Sequence, residues 1–172
     1  YIFKNNWDLT FSNQKTEWGM TEPGISSGAV FADLDNDGDL DLVVNRINKE
    51  AGIYLNRQQE EKKMSFLTIR LQYKKGNSNA VGAKIYVYSK GNMQYGEVNS
   101  NRGYLSSLPL TAHFGLGDAT TVDSVKIIWP DNTVQNSNKV SDNQFLTIGY
   151  SNPVRVEKNQ VATKTVFNKA KP

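Results

Sequence analysis

Cysteine is absent from the 172 residues, and histidine occurs once. Without cysteine there is no disulfide, no thiolate metal site and no cysteine nucleophile. A lone imidazole, His113, cannot build a histidine metal cluster, and any serine triad would have to be centred on it. No apolar run is longer than a strand, so no membrane-spanning helix is expected in this stretch. A signal peptide pattern is absent as well. Tyr1 stands inside a strand pattern, so further upstream sequence of the same protein is expected. Hydrophobic residues make up 38%, which is modest, yet eight Tyr, seven Phe and three Trp can build a core. The length allows one ordinary domain or two small ones.

A dominant sign of charge is also lacking. Twenty basic residues face seventeen acidic ones, a net charge of +3. The last twenty residues hold Arg155, Lys158, Lys164, Lys169 and Lys171 against Glu157 alone, or +4, which leaves −1 for the rest. A basic tail can touch nucleic acid or an acidic surface. A solvated tail is the plainer reading, and no nucleic-acid partner is expected.

What is present is a run of aspartates, Phe31-Ala-Asp33-Leu-Asp35-Asn-Asp37-Gly38-Asp39-Leu-Asp41. Five carboxylates alternate over nine residues, with a glycine among them. Their mutual repulsion calls for a cation. Calcium takes six to eight oxygen ligands, and a tightly turned loop of carboxylates supplies them. Asp33, Asp35 and Asp37 occupy ligand positions one, three and five. Gly38 falls at six, where the chain turns sharply and a Cβ is unwelcome. Asp39 at seven offers its backbone carbonyl, and Asp41 stands at nine. The predicted metal ligands are therefore Asp33, Asp35, Asp37, Asp39 and Asp41, and the predicted ion is Ca2+. An EF-hand would need a bidentate glutamate at twelve, where this chain has Val44, and helices on both sides. Gly28–Ala32 and Leu40–Asn45 are instead short, apolar and β-branched, and read as strands. The expected element is a strand–calcium loop–strand hairpin.

These residues resemble the FG-GAP (VCBS) repeat, a blade of calcium-binding β-propellers. Ser27–Val44 carries the likeness, and Tyr1–Asn5, Leu9–Phe11 and Ile53–Asn56 resemble closing strands of such blades. The resemblance implies upstream blades in the same protein. Between them, Ser12–Ser27 reads as a polar inter-blade loop anchored by Trp18.

Arg57–Met64 is charged, without an apolar face, and too short to be a stable helix alone. From Ser65 a second set of strands begins. Phe66–Tyr73 alternates with Leu67, Ile69 and Leu71 on one face. Ala83–Ser89, a Lys90-Gly91-Asn92 turn and Met93–Val98 form a hairpin. Ser124–Trp129 and Gln144–Ile148 are further strands. Many short strands joined by turns imply a sandwich or barrel. The expected core is Leu67, Ile69, Leu71, Ile85, Val87, Val125, Ile127, Trp129, Phe145 and Leu146. This half resembles the ASPIC and UnbV domain through Asn79–Lys84, Gln94–Val98, Gly103–Ser107, His113–Gly117, Val122–Pro130 and Asn143–Leu146. That likeness implies an extracytoplasmic protein with a propeller before this module, and no established activity.

No catalytic or cofactor-binding residue is expected. His113 lacks a nucleophile elbow, and no motif sets Ser106 or Ser107 beside it. Gly115-x-Gly117 lacks the third glycine and helix of a phosphate loop and reads as a tight turn. Carboxylates held ionised by calcium are poor acid–base groups. The expected fold is all-β: a terminal β-propeller-type blade (strand–calcium loop–strand) packed beside a β-sandwich or barrel module. The divisions are a calcium-binding β repeat over 1–57, a linker over 58–65, an ASPIC/UnbV-type β-sandwich over 66–150 and a basic C-terminal tail over 151–172. The expected function is a non-enzymatic, calcium-stabilised binding or adhesion-type module with a protein or glycan ligand. Its place is extracytoplasmic: secreted, periplasmic or on the outer cell surface. The alternative is an accessory, carbohydrate-binding domain of a larger secreted enzyme, and behind it nucleic-acid binding through the tail.

Overall fold

The computed structural model describes residues 1–151 and the two-residue strand Val154–Arg155. Apart from Ser151 and that strand, the expected basic tail lies outside the described residues. Those residues are almost entirely β, with one short helix, α1 (Gln58–Lys62). No helix among them is long and apolar enough to cross a membrane. The chain divides into two compact units. The first holds Tyr1–Arg57 and Asn101–Pro109; the second holds Gln58–Ser100 and the chain from Leu110 onward.

In the first unit, β1 (Phe3–Asn5) and β2 (Phe11–Asn13) pair antiparallel. The bend between them uses left-handed backbone at Trp7 and Leu9. A separate three-stranded antiparallel sheet follows, β3 (Ser26–Ala32), β4 (Asp41–Arg46) and β5 (Gly52–Tyr54), with β4 in the middle. The aspartate run is the β3–β4 connection. Segment 101–109 lies against β3. Arg102 stands over the Phe31 ring at 5.8 Å, and Ser106 meets Gly28. A Cβ at Gly28 would come 3.1 Å from the Tyr104 carbonyl oxygen and closer still to the Ser106 hydroxyl, so only glycine admits the segment. Composition gave no sign that this stretch leaves the second unit. Trp18, expected as an anchor, is half exposed.

The second unit is a two-sheet sandwich in which no sheet closes on itself. One sheet has β6 (Ser65–Gln72) between parallel β12 (Gln144–Gly149) and antiparallel β9 (Thr111–Gly117). The other runs β13 (Val154–Arg155), β11 (Thr133–Ser141), β10 (Thr121–Ile128), β7 (Lys84–Ser89), β8 (Asn92–Glu97). Leu67, Ile69 and Leu71 of β6 share a core with Ile85, Val87, Val125 and Ile127 of the second sheet. The predicted alternation on these strands is thus observed. Trp129 closes one end, stacked on Tyr73 at 5.5 Å.

Three details differ from expectation. Phe145 points outward, 52% exposed, and meets Phe66 edge-on at 5.6 Å. The pairing of β12 with β6 sets Leu146 beside Ile69 and Ile148 beside Leu71, so the even-numbered side chains face inward. Secondly, Gly115–Gly117 is no tight turn. It ends β9, whose Ala112, Phe114 and Leu116 are buried; the glycines hid that alternation. Thirdly, the 58–65 stretch begins with α1 and ends in β6, where the Ser65 hydroxyl donates to Asp142 Oδ2 at 2.7 Å.

Candidate metal centre

Ala32 and Asp41 are the last paired residues of β3 and β4, so the two strands fix the mouth of the loop between them. Inside it, short side chains accept successive backbone amides, as Asp does in turns. Gly38 N donates to Asp33 Oδ2 at 3.0 Å, and Asp39 N donates to Asp37 Oδ1 at 2.9 Å. Gly38 has φ 97°, a conformation glycine adopts freely, and Asn36 has φ 61°.

This folding brings three of the five expected ligands together. Asp33, Asp35 and Asp37 each offer a carboxylate oxygen within 4.8 Å of the other two. Asp33 Oδ1 is buried and has no hydrogen-bond partner. Burial pushes the Asp33 carboxyl above the usual carboxylate range, the Gly38 amide works against this, and the charges of Asp37 and Asp35 add to it. Three converging carboxylates, one with an orphaned buried oxygen, suit a hard divalent cation, which accepts oxygen donors of this kind. The residues fit calcium.

Asp39 and Asp41 do not join the three-carboxylate group. Asp39 is buried. Asp41 is 1% exposed, and its two oxygens accept the Leu34 amide at 2.9 Å and the Asn56 amide at 2.8 Å. It thus ties the loop to the chain just after β5. Asn56 is the residue that sequence reasoning missed, since nothing in its neighbours announces a backbone amide directed at a carboxylate fifteen positions earlier.

Two family models match this chain: the FG-GAP-like repeat over residues 1–44, and ASPIC and UnbV over residues 73–155. The chain carries an FG-GAP-like repeat followed by an ASPIC and UnbV domain. Curated relatives are the cartilage acidic protein 1 of Homo sapiens and of Mus musculus, each 30% identical over 133 residues, covering 74% of this chain and 20% of the relative. The Xenopus tropicalis protein of the same name is 30% identical over 127 residues, covering 72% and 19%. The chain spans about a fifth of the length of these relatives.

The aspartate loop lies within the FG-GAP-like repeat. His113 lies within the ASPIC and UnbV domain, on β9, where its Nδ1 is 2.9 Å from the Thr68 hydroxyl and its ring stacks on Phe66 at 5.9 Å. Ser106 belongs to the first unit and donates to the Tyr104 carbonyl at 3.0 Å.

Proposed function

We propose that this chain is a calcium-stabilised binding module without catalysis of its own, working outside the cytoplasm. The observation that carries the reading is the convergence of Asp33, Asp35 and Asp37 around a buried, unpartnered oxygen. Their carboxylates would hold the ion together with the Asp39 backbone carbonyl. Asp41 would add a lone pair that its two amide bonds leave over. A bound calcium ion supplies positive charge that cancels the repulsion in the loop. The protein's own part is to fix the loop mouth through the Ala32–Asp41 pair and the Asp41 amide bonds.

The extracytoplasmic placement is supported by the likeness to cartilage acidic protein 1 and by the FG-GAP-like repeat. The propeller reading is supported by the first unit itself. Phe3, Phe11, Ile53 and Leu55 are exposed there, as suits a blade that neighbouring blades cover. Isothermal titration with calcium is the direct test. Heat of binding with a dissociation constant on the order of 10⁻⁴–10⁻³ M is expected. No heat, together with no change in melting, overturns the reading.

A further inference from the structure

The five-stranded sheet buries one face. Ile85, Val87, Val125 and Ile127 point to the core and are fully buried. A water-facing sheet surface ordinarily carries polar residues at the alternate positions. Here β7 and β8 place Tyr86, Tyr88, Met93 and Tyr95 there. Tyr86 is opposite Tyr95, and Tyr88 is opposite Met93, so the four form one block. Tyr95 is 49% exposed, Met93 53% and Tyr88 37%.

The rings are already held. Tyr86 and Tyr95 lie 5.2 Å apart, and Lys126 Nζ stands 5.9 Å from the Tyr86 ring centre. The Tyr95 hydroxyl donates to Glu97 Oε2 at 3.1 Å. A surface ordered in advance loses little freedom when a ligand arrives. Across the sheet the register runs from Tyr86 to Lys126 to Asn136, and from Tyr88 to Ser124 to Asn138. Both asparagines are exposed. Four strands at about 4.8 Å spacing make a track roughly 14 Å across, with rings at one side and amides at the other.

Charge decides between ligands. The charged side chains on these rows, Lys84, Lys126 and Glu97, are mixed in sign. A phosphate backbone calls for a run of positive charge, which these rows lack. Aromatic faces suit the C–H surfaces of sugar rings, and hydroxyls and amides can donate to and accept from sugar hydroxyls. We propose that this tyrosine face binds a neutral polysaccharide chain. The proposal rests on the binding-module reading and names the ligand class for it.

Affinity electrophoresis through gels containing dextran, xylan, galactomannan or mixed-linkage glucan tests it. At least one of these should retard the chain. The Tyr88→Ala/Tyr95→Ala variant should bind that polysaccharide about tenfold more weakly or worse while staying folded at the assay temperature, since neither side chain belongs to the buried core. Tyr95→Phe, which keeps the ring, should retain most of the binding. Equal retardation of the alanine variant overturns the tyrosine face while the binding-module reading stands. Retardation by none of the four, or binding of a single-stranded oligonucleotide that the alanine variant loses, overturns the proposal. The calcium titration judges the underlying reading separately.

Discussion

Two aspartates, Asp41 and Asp131, show how differently a carboxylate can serve a fold. Asp41 is buried and satisfies the Leu34 and Asn56 amides. Asp41→Ala leaves those two donors without their partner, at about 1–3 kcal/mol each. Urea unfolding should therefore show a loss of roughly 2–6 kcal/mol both with calcium and with chelator. A loss seen only with calcium would refute the clamp role. Asp131 accepts bonds from Lys74 Nζ at 2.8 Å, the Tyr150 hydroxyl at 2.9 Å, and the Thr133 hydroxyl and amide at 2.6 and 3.1 Å. Burial pushes its carboxyl up, but the Lys74, Thr133 and Tyr150 bonds outweigh burial and hold it well below the usual range. A folded-state pKa below the unfolded one means that the folded state binds fewer protons. The stability from these bonds is then complete above about pH 3.9 and is lost as pH falls toward the folded value. Asp131→Asn should lower stability at pH 7 and flatten the acid limb of a stability–pH curve; an unchanged limb would disprove the linkage. The convergence of Asp33, Asp35 and Asp37 was legible because their alternate spacing on one tight loop is a local pattern. The Asp41–Asn56 and Lys74–Asp131 pairs were not, because their partners meet only once strands have paired.

The strand–loop–strand element carries the calcium prediction. Without the ion, the carboxylates of Asp33, Asp35 and Asp37 crowd together in one loop. Calcium at ten times its dissociation constant adds about 1.4 kcal/mol to folding, enough to raise the melting midpoint by several degrees in a small unit. Asp37→Ala should erase that shift and leave the calcium-free midpoint level or slightly higher, since a repelling charge has gone. A calcium shift that survives Asp37→Ala would place the ion elsewhere. β7 alternates strictly, and in β6 and β10 the apolar residues Leu67, Ile69, Leu71, Val125 and Ile127 stand at alternate positions, so these strands were readable from sequence. β9 escaped because Gly115 and Gly117 stand where side chains would mark its period. The inward face of β12 depends on its parallel register with β6, and no local pattern encodes a pairing with a strand so far back in the chain.

At the scale of the molecule, the two units differ in what holds them. Every buried hydrophobic side chain among the described residues belongs to the second unit. The buried residues of the first are Gly38, Asp39 and Asp41 at the aspartate loop and Gly52 on β5. A unit with so little apolar burial has a small favourable term to set against chain entropy. Its stability is then expected to lean on the loop and on the calcium ion proposed there, while that of the second unit leans on the sandwich core. Scanning calorimetry should accordingly show two transitions. Calcium should raise the lower one and leave the upper one in place. Ile127→Ala removes a fully buried side chain between β7 and β11, and such truncations cost about 2–5 kcal/mol. It should lower the upper transition by several degrees or more and leave the calcium-sensitive one where it was. A single transition moved by both calcium and Ile127→Ala would mean that the two units share one cooperative core, and the division of labour drawn from burial would be wrong.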